Sequence, residues 1–152
     1  MNDPKIKVKG KKFKYRVKIK LTEKGEGIIE SIGKPNIILS APVEFGGKEG
    51  FWTPEDLFVA SVNACLMTTF SYYARKQGFK FVSFESYAEG VLELVEMRYV
   101  FAGITARPKI VVNTSEDMKI AEKILSISQK ICIISNSIKT KFILEPEIVP
   151  IS

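Results

Sequence analysis

The chain contains no histidine. That single absence removes every Ser-His-Asp or Cys-His catalytic pair and every imidazole metal ligand. Cysteine is scarce as well: two in 152 residues, Cys65 and Cys132, widely separated and without a C-x-x-C. A four-thiolate zinc site is therefore out of reach, and we expect neither metal nor cofactor. Long apolar runs are missing too. Uninterrupted apolar stretches extend only a few residues, well short of the roughly 20 that a membrane span needs. The first twenty residues are basic rather than signal-like, so the expected setting is cytoplasmic, with no membrane. A reducing cytosol disfavours lasting disulfides, so any bridge between the two thiols would be transient and chemical.

What is present fits one domain, residues 1–152, with 45% hydrophobic residues to build a core. The net charge is +6, and much of the excess lies early, in Lys5, Lys7, Lys9, Lys11, Lys12, Lys14, Arg16, Lys18 and Lys20. From Lys14 to Leu21, KYRVKIKL alternates strictly, with Tyr15, Val17, Ile19 and Leu21 on one side. That pattern predicts a half-buried edge strand with a solvated basic face. The other reading, a basic stripe for nucleic acid, finds no support in an RNP-like aromatic run or a helix-turn-helix pattern. We expect no nucleic-acid partner.

Turn-rich tracts divide the first forty residues into strands: KYRVKIKL, then IIESI, then IILS. After the loop APVEFGGKEGFW, a helix starts with Thr53 as N-cap, Pro54 in first position and Glu55 and Asp56 in the first turn. It runs to about Gln77 and stops at Gly78. Two strand regions follow, KFVSFESYAEGVLELV and MRYVFAGITARPKIVVN, then a second helix after Thr114 or Ser115 that ends near Cys132. A last strand, IKTKFILE, precedes Pro146. The order βββ–α–ββ–α–β predicts an α+β fold of antiparallel sheets with two main helices. The first helix, LFVASVNACLMTTF in its middle, is too apolar for one sheet to cover. A partner subunit would supply the rest, and we expect an intertwined homodimer.

Cys65 alone is open to two readings, a small core residue or a reactive thiol. Cys132 makes the question sharper, because each cysteine sits on the inward face of a helix beside a polar break. Asn63 and Thr68 flank the first; Ser135 and Asn136 follow the second. If those helices pack together, the sulfurs come within disulfide reach.

Pro42, Gly46 and Gly47, then Thr53-Pro54-Glu55-Asp56-Leu57-Phe58, then Ala64-Cys65, resemble the signature of the OsmC/Ohr family of organic hydroperoxide reductases. In that family a P-x-x-x-G-G loop precedes N-P-E-[EQ]-L, and a cysteine follows the glutamate by ten residues, the spacing of Glu55 and Cys65 here. The helix ending at Cys132, followed by IISNSIK, is similar to the family's C-x-x-S-x-x-[LI]. The resemblance runs from about Lys14 to the end of the chain. It implies an OsmC-like fold and an antioxidant role: a cysteine-based peroxidase acting in the oxidative stress response. Cys65 would attack a hydroperoxide and become a sulfenic acid, Cys132 would condense with it to a disulfide, and a dithiol, lipoyl-type or other, would restore both. The alternative is an OsmC-like protein that binds a small ligand without catalysis, its thiols inert and buried.

Thiolate chemistry demands a lowered thiol pKa, and mid-helix Cys65 gains nothing from the start of its own helix. A cation held by a carboxylate is the expected device. Ten residues place Glu55 about 15 Å along the axis from Cys65 of the same helix. Glu55 would therefore serve Cys65 of the other subunit, or else act only as a favourable charge at its helix start. Where the family has an arginine just before G-x-G, this chain has Lys24 before Gly25-Glu26-Gly27. Arg16 on the preceding strand is the other candidate cation. Lysine lacks the bidentate fork of arginine. The aromatics Phe45, Phe51, Trp52, Phe70, Tyr72 and Tyr73 would line an apolar mouth for the substrate or pack a dimer interface.

Overall fold

Turn chemistry carves the start of the chain into three short strands. In this computed structural model, which describes residues 10–151, β1 (Lys18–Leu21), β2 (Gly27–Glu30) and β3 (Ile37–Leu39) form an antiparallel sheet in that order. Ile19 stands opposite Ile29, and Ile29 opposite Ile37, so β-branched side chains make one cross-strand row. The β1–β2 turn closes through Gly25 N–H to the Thr22 carbonyl at 3.0 Å, with Gly25 at a φ of 88°. Lys5, Lys7 and Lys9 of the basic tract lie outside the described residues.

The strand expected from Lys14 begins only at Lys18, and its apolar side is not half-buried. Tyr15 is 91% and Leu21 80% exposed. Alternation told correctly which side is apolar; a single three-stranded layer has nothing of its own to lay over that side.

The loop after β3 is built on one carbonyl. Pro42 O accepts N–H bonds from both Phe45 and Gly47 at 2.9 Å, winding a 3-10 turn over Val43–Phe45. A Cβ on Gly47 would lie 1.6 Å from the Ala41 carbonyl oxygen, so only glycine fits there. The chain divides at Thr53–Pro54 into two compact units, and the sheet and this loop belong to the first.

The second unit opens with α1 (Pro54–Lys76). Proline needs no N–H at the first helical position, and Glu55 and Asp56 complement the positive end. The far end is closed by a Schellman motif: Phe79 N–H reaches the Ala74 carbonyl at 2.8 Å and Gly78 N–H reaches Arg75 at 3.1 Å, with Gly78 at a φ of 66°. The long strands β4 (Phe81–Val95) and β5 (Arg98–Val112) then form a hairpin, turned at Glu96 and Met97, both with positive φ. Helix α2 (Ser115–Ile131) carries a reciprocal capping box. Asp117 N–H donates to Thr114 Oγ1 at 3.3 Å and Thr114 N–H to Asp117 Oδ2 at 3.1 Å. A single turn, α3 (Ile133–Asn136), precedes β6 (Lys141–Leu144) and β7 (Glu147–Pro150).

This second sheet is mixed, which corrects the expectation of antiparallel sheets throughout. Both β6 and β7 pair parallel to β5, along the edge opposite β4. The cause is topological: α2 starts where β5 ends and runs back, so the next strand must return in the β5 direction. β7 lies beyond Pro146, where the sequence reading ended the last strand. Pro108, with no N–H to give, falls between the stretch of β5 paired with β6 and the stretch paired with β7. The architecture is α+β with two main helices.

The core of this unit joins Leu66, Phe70 and Ala74 of α1 to Ala106, Ile110 and Val112 of β5 and Ala121, Ile124 and Leu125 of α2. Phe70 is fully buried, with its ring 5.3 Å from Phe81 and 5.2 Å from Phe84. By length and composition α1 would suffice to cross a membrane, yet one stripe of it, Val62-Leu66-Phe70-Ala74, is buried as core of this unit. Met67 and Tyr72, on its other side, are open in the single chain. Phe70→Ala is expected to cost about 3–5 kcal/mol, read as a lower urea midpoint by circular dichroism. Thr114→Ala should cost about 1 kcal/mol through the lost cap.

Candidate active site

Helix α1 carries Cys65 at mid-length, on the side that meets α2 and α3. Its partner comes from a helix break. At Cys132 the backbone leaves helical geometry (φ −56°, ψ 114°), ending α2 and starting α3, so this one residue caps both. Asn136 N–H and Ser135 Oγ donate to the Cys132 carbonyl at 3.1 and 3.3 Å, and Asn136 Nδ2 donates to the Lys130 carbonyl at 2.9 Å. The polar tract after Cys132 thus holds the turn.

The structure brings the two predicted thiols together. Both are free, Cys132 fully buried and Cys65 partly exposed, and their side chains are hydrogen-bonded to each other. Their proton affinities move in opposite directions. Burial pushes Cys65 up, but hydrogen bonds outweigh it and hold this thiol below the usual cysteine range. They come from the Ile134 amide, the Cys132 thiol, the Thr69 hydroxyl and the Ile133 amide. Thr69 Oγ1 lies 4.0 Å from the sulfur. Cys132 is pushed above the usual range, first by burial and then by its neighbour's charge, against the Ser135 side chain and amide. Within the pair, Cys65 gives up its proton more readily than Cys132 does.

The backbone amides were not foreseen from sequence. Cys65 indeed gains nothing from the start of its own helix, but it receives two N–H groups from the start of α3, which have no acceptor inside that turn. Side-chain patterns do not register backbone donors. Thr69 was also missed, although its position four residues beyond Cys65 places it on the same face. On another face of the helix, Ser86 Oγ donates to Asn63 Oδ1 at 2.6 Å and Asn63 Nδ2 to the Ser86 carbonyl at 2.9 Å, tying α1 to β4.

The other predicted residues are described within their own units. Glu55 sits in the first turn of α1, about 15 Å along the axis from the Cys65 level, and its Oε2 is buried without a hydrogen-bond partner among the described residues. Lys24 and Arg16 belong to the first unit. Lys24 is exposed in the β1–β2 turn, where its carbonyl accepts from Lys48 Nζ at 2.6 Å. Arg16 is exposed ahead of β1, and its carbonyl accepts from Ser31 Oγ at 3.2 Å. Of the aromatics, Phe70 and Tyr72 line a groove of about 630 Å³ along α1 and β4, together with Met67, Phe84 and Arg75. Tyr73 packs against the core, while Phe45, Phe51 and Trp52 belong to the first unit.

The sequence model of a family described as OsmC-like protein matches residues 46–147. That span contains Glu55, Cys65 and Cys132 and begins after Lys24. No curated protein matches the chain. An OsmC-like protein of unknown function from Vibrio cholerae has a similar solved structure: 25% identity, TM-score 0.72, covering 80% of this chain and 83% of that one. An OsmC-like protein from Mycoplasma pneumoniae superposes with a TM-score of 0.75 at 17% identity, covering 90% and 98%. The organic hydroperoxide resistance protein OsmC from Legionella pneumophila gives 0.69 at 23% identity, covering 91% and 99%. The last two likenesses establish the fold.

The opposed shifts set a pH dependence of stability. The folded state releases the Cys65 proton more readily than the unfolded chain does. Thiolate formation therefore adds stability as pH rises towards the ordinary thiol value, and that stability is lost as pH falls through the folded Cys65 pKa. Cys132 contributes in the opposite sense, fully below the ordinary value, and its share is lost as pH rises through its own folded pKa. Ile133→Pro isolates one amide. The Cys132 backbone already suits a residue before proline, and the first position of a helical turn tolerates proline. We expect the Cys65 pKa to rise, seen in thiolate ultraviolet absorbance, and its alkylation at neutral pH to slow several-fold. Ile133→Ala, which keeps the N–H, should leave both unchanged.

Proposed function

The chain belongs to the OsmC-like family, and from that membership we propose that it is a homodimeric thiol peroxidase that reduces organic hydroperoxides to alcohols. The observation that carries this reading is the pair of hydrogen-bonded thiols with opposed proton affinities, one partly open and one fully buried. A thiolate beside a protonated thiol is what a two-step cysteine peroxidase requires. Cys65 attacks the O–O bond and becomes a sulfenic acid. Cys132 then displaces the hydroxyl group to form a disulfide, and a dithiol reductant, lipoyl-type or other, restores both thiols by exchange. The reading places the protein in the cytoplasm, where both thiols are kept reduced.

Two open apolar surfaces support the dimer: the side of α1 carrying Met67 and Tyr72, and the side of β1 carrying Ile19 and Leu21. In it, Glu55 serves Cys65 of the other subunit and steadies the cation, for which Lys24 is the candidate and Arg16 the substitute. The buried Glu55 oxygen favours this, because it meets no donor among the described residues and is open to one from the other subunit.

One equivalent of cumene hydroperoxide should remove two hydrogens and both free thiols, measured by intact mass and thiol titration. Cys65→Ser should show no change, and Cys132→Ser should stop at a trappable sulfenic acid. A wild type unchanged in mass and thiol content would instead be the non-catalytic ligand binder. Subunit mixing tests Glu55. Cys65→Ser and Glu55→Gln homodimers should both be weakly active or inactive, and heterodimers formed from them should recover about half of one wild-type dimer's activity. Recovery requires the glutamate of one chain to serve the thiol of the other; no recovery assigns Glu55 to its own subunit or to capping.

A further inference from the structure

We propose that Cys132 has a second task before it resolves the sulfenic acid: its thiol protonates the alkoxide that leaves when Cys65 attacks the peroxide. This rests on the peroxidase reading and adds an acid to it.

The attack itself creates the need. The Cys65 thiolate bonds to the terminal oxygen of a hydroperoxide, the O–O bond breaks, and its electron pair departs on the oxygen that carries the alkyl group. An alkoxide released beside buried apolar side chains is a strong base without solvation, so a proton must be delivered as the bond breaks. The chain has no histidine to deliver it. Among the described residues, the groups that hydrogen-bond to the Cys65 sulfur are the Ile133 and Ile134 amides, the Thr69 hydroxyl and the Cys132 thiol. Amides and an aliphatic hydroxyl are no more acidic than the alcohol being formed. A thiol is far more acidic than that alcohol, even when raised above its usual range. Glu55 of the same chain lies about 15 Å away along α1, nearly three turns of helix. Of the groups bonded to the sulfur within this chain, Cys132 is therefore the one able to supply the proton. It is fully buried, so it holds that proton against exchange with bulk water until the peroxide lies across the two sulfurs.

The atoms and charges balance. The Cys65 thiolate, the Cys132 thiol and ROOH give Cys65 sulfenic acid, the Cys132 thiolate and ROH. The new Cys132 thiolate then attacks the Cys65 sulfur. The S–S bond forms, the S–O bond breaks, and the hydroxide leaves and takes one proton from solvent as water. The order of events is built into the pair. The charge on Cys65 is among the causes that keep Cys132 protonated, and oxidation of Cys65 removes that charge. Cys132 becomes a nucleophile in the step that produces its target.

Cys132→Ser keeps the volume and a hydrogen bond but replaces the acid with a much weaker one. First-turnover oxidant consumption would be followed by stopped flow for wild type and Cys132→Ser, using tert-butyl hydroperoxide and peracetic acid, with rates expressed per Cys65 thiolate from its own titration. Acetate leaves without needing a proton, whereas tert-butoxide does not. We expect the variant to lose about 100-fold with tert-butyl hydroperoxide, within the usual range for general acid catalysis, and little with peracetic acid. The peracetic acid rate also shows whether the variant is folded with its thiolate intact. Equal losses with both oxidants, or no loss with either, would overturn the second task while leaving Cys65 as the peroxidatic thiol. A wild type that consumes neither oxidant would remove the peroxidase reading, and this assignment with it.

Discussion

The break in the helix at Cys132 is the constraint on which the site depends. Had α2 continued, the Cys132 thiol would stay on a helix face, and the amides of Ile133 and Ile134 would be bound to carbonyls one turn back. Because the backbone turns there, one residue delivers both a thiol and two free N–H groups to the same sulfur on α1. Ser135 and Asn136 hold that turn by bonding to the carbonyls it leaves open. Two N–H donors and the second thiol thus arrive as one piece of backbone, which explains how the Cys65 pKa is lowered in a chain without histidine.

The surroundings act to keep that piece in register. The Asn63–Ser86 pair fixes α1 against β4 at the level of Cys65, and Leu66 and Phe70 anchor the following turns in the core. On the opposite side, the return of β6 and β7 along β5 holds the segment after α3 against the sheet. Cys65 is positioned here by packing rather than by a dedicated binding loop.

Legibility in the sequence followed the range of the interactions. Both helix starts and the α1 stop were readable, because Pro54, Thr114 and Gly78 act on groups within a few residues. The second hairpin was readable from its two long strands. β7 and the parallel pairing were not, because they rest on contacts between distant segments, and Pro146 looked like an end rather than a link. The apolar side of β1 was recognised, yet a pattern of side chains names a face without naming its cover. Cys65 and Cys132 were found through residue types and spacing. The Ile133 and Ile134 amides escaped, since every residue but proline carries the same N–H and only the fold decides where it points.

The path of β7 has a practical bearing on how the molecule can be handled. Its last residues run beside the end of β5, with Ile151 N–H bonded to the Val112 carbonyl, next to where α2 begins. Cys132 lies past the other end of α2, a helix of 17 residues and hence about 25 Å long. A fluorophore, affinity handle or surface tether joined after residue 151 would leave the fold at the end remote from the sulfurs, making that the side from which to immobilise the protein while its redox chemistry is watched.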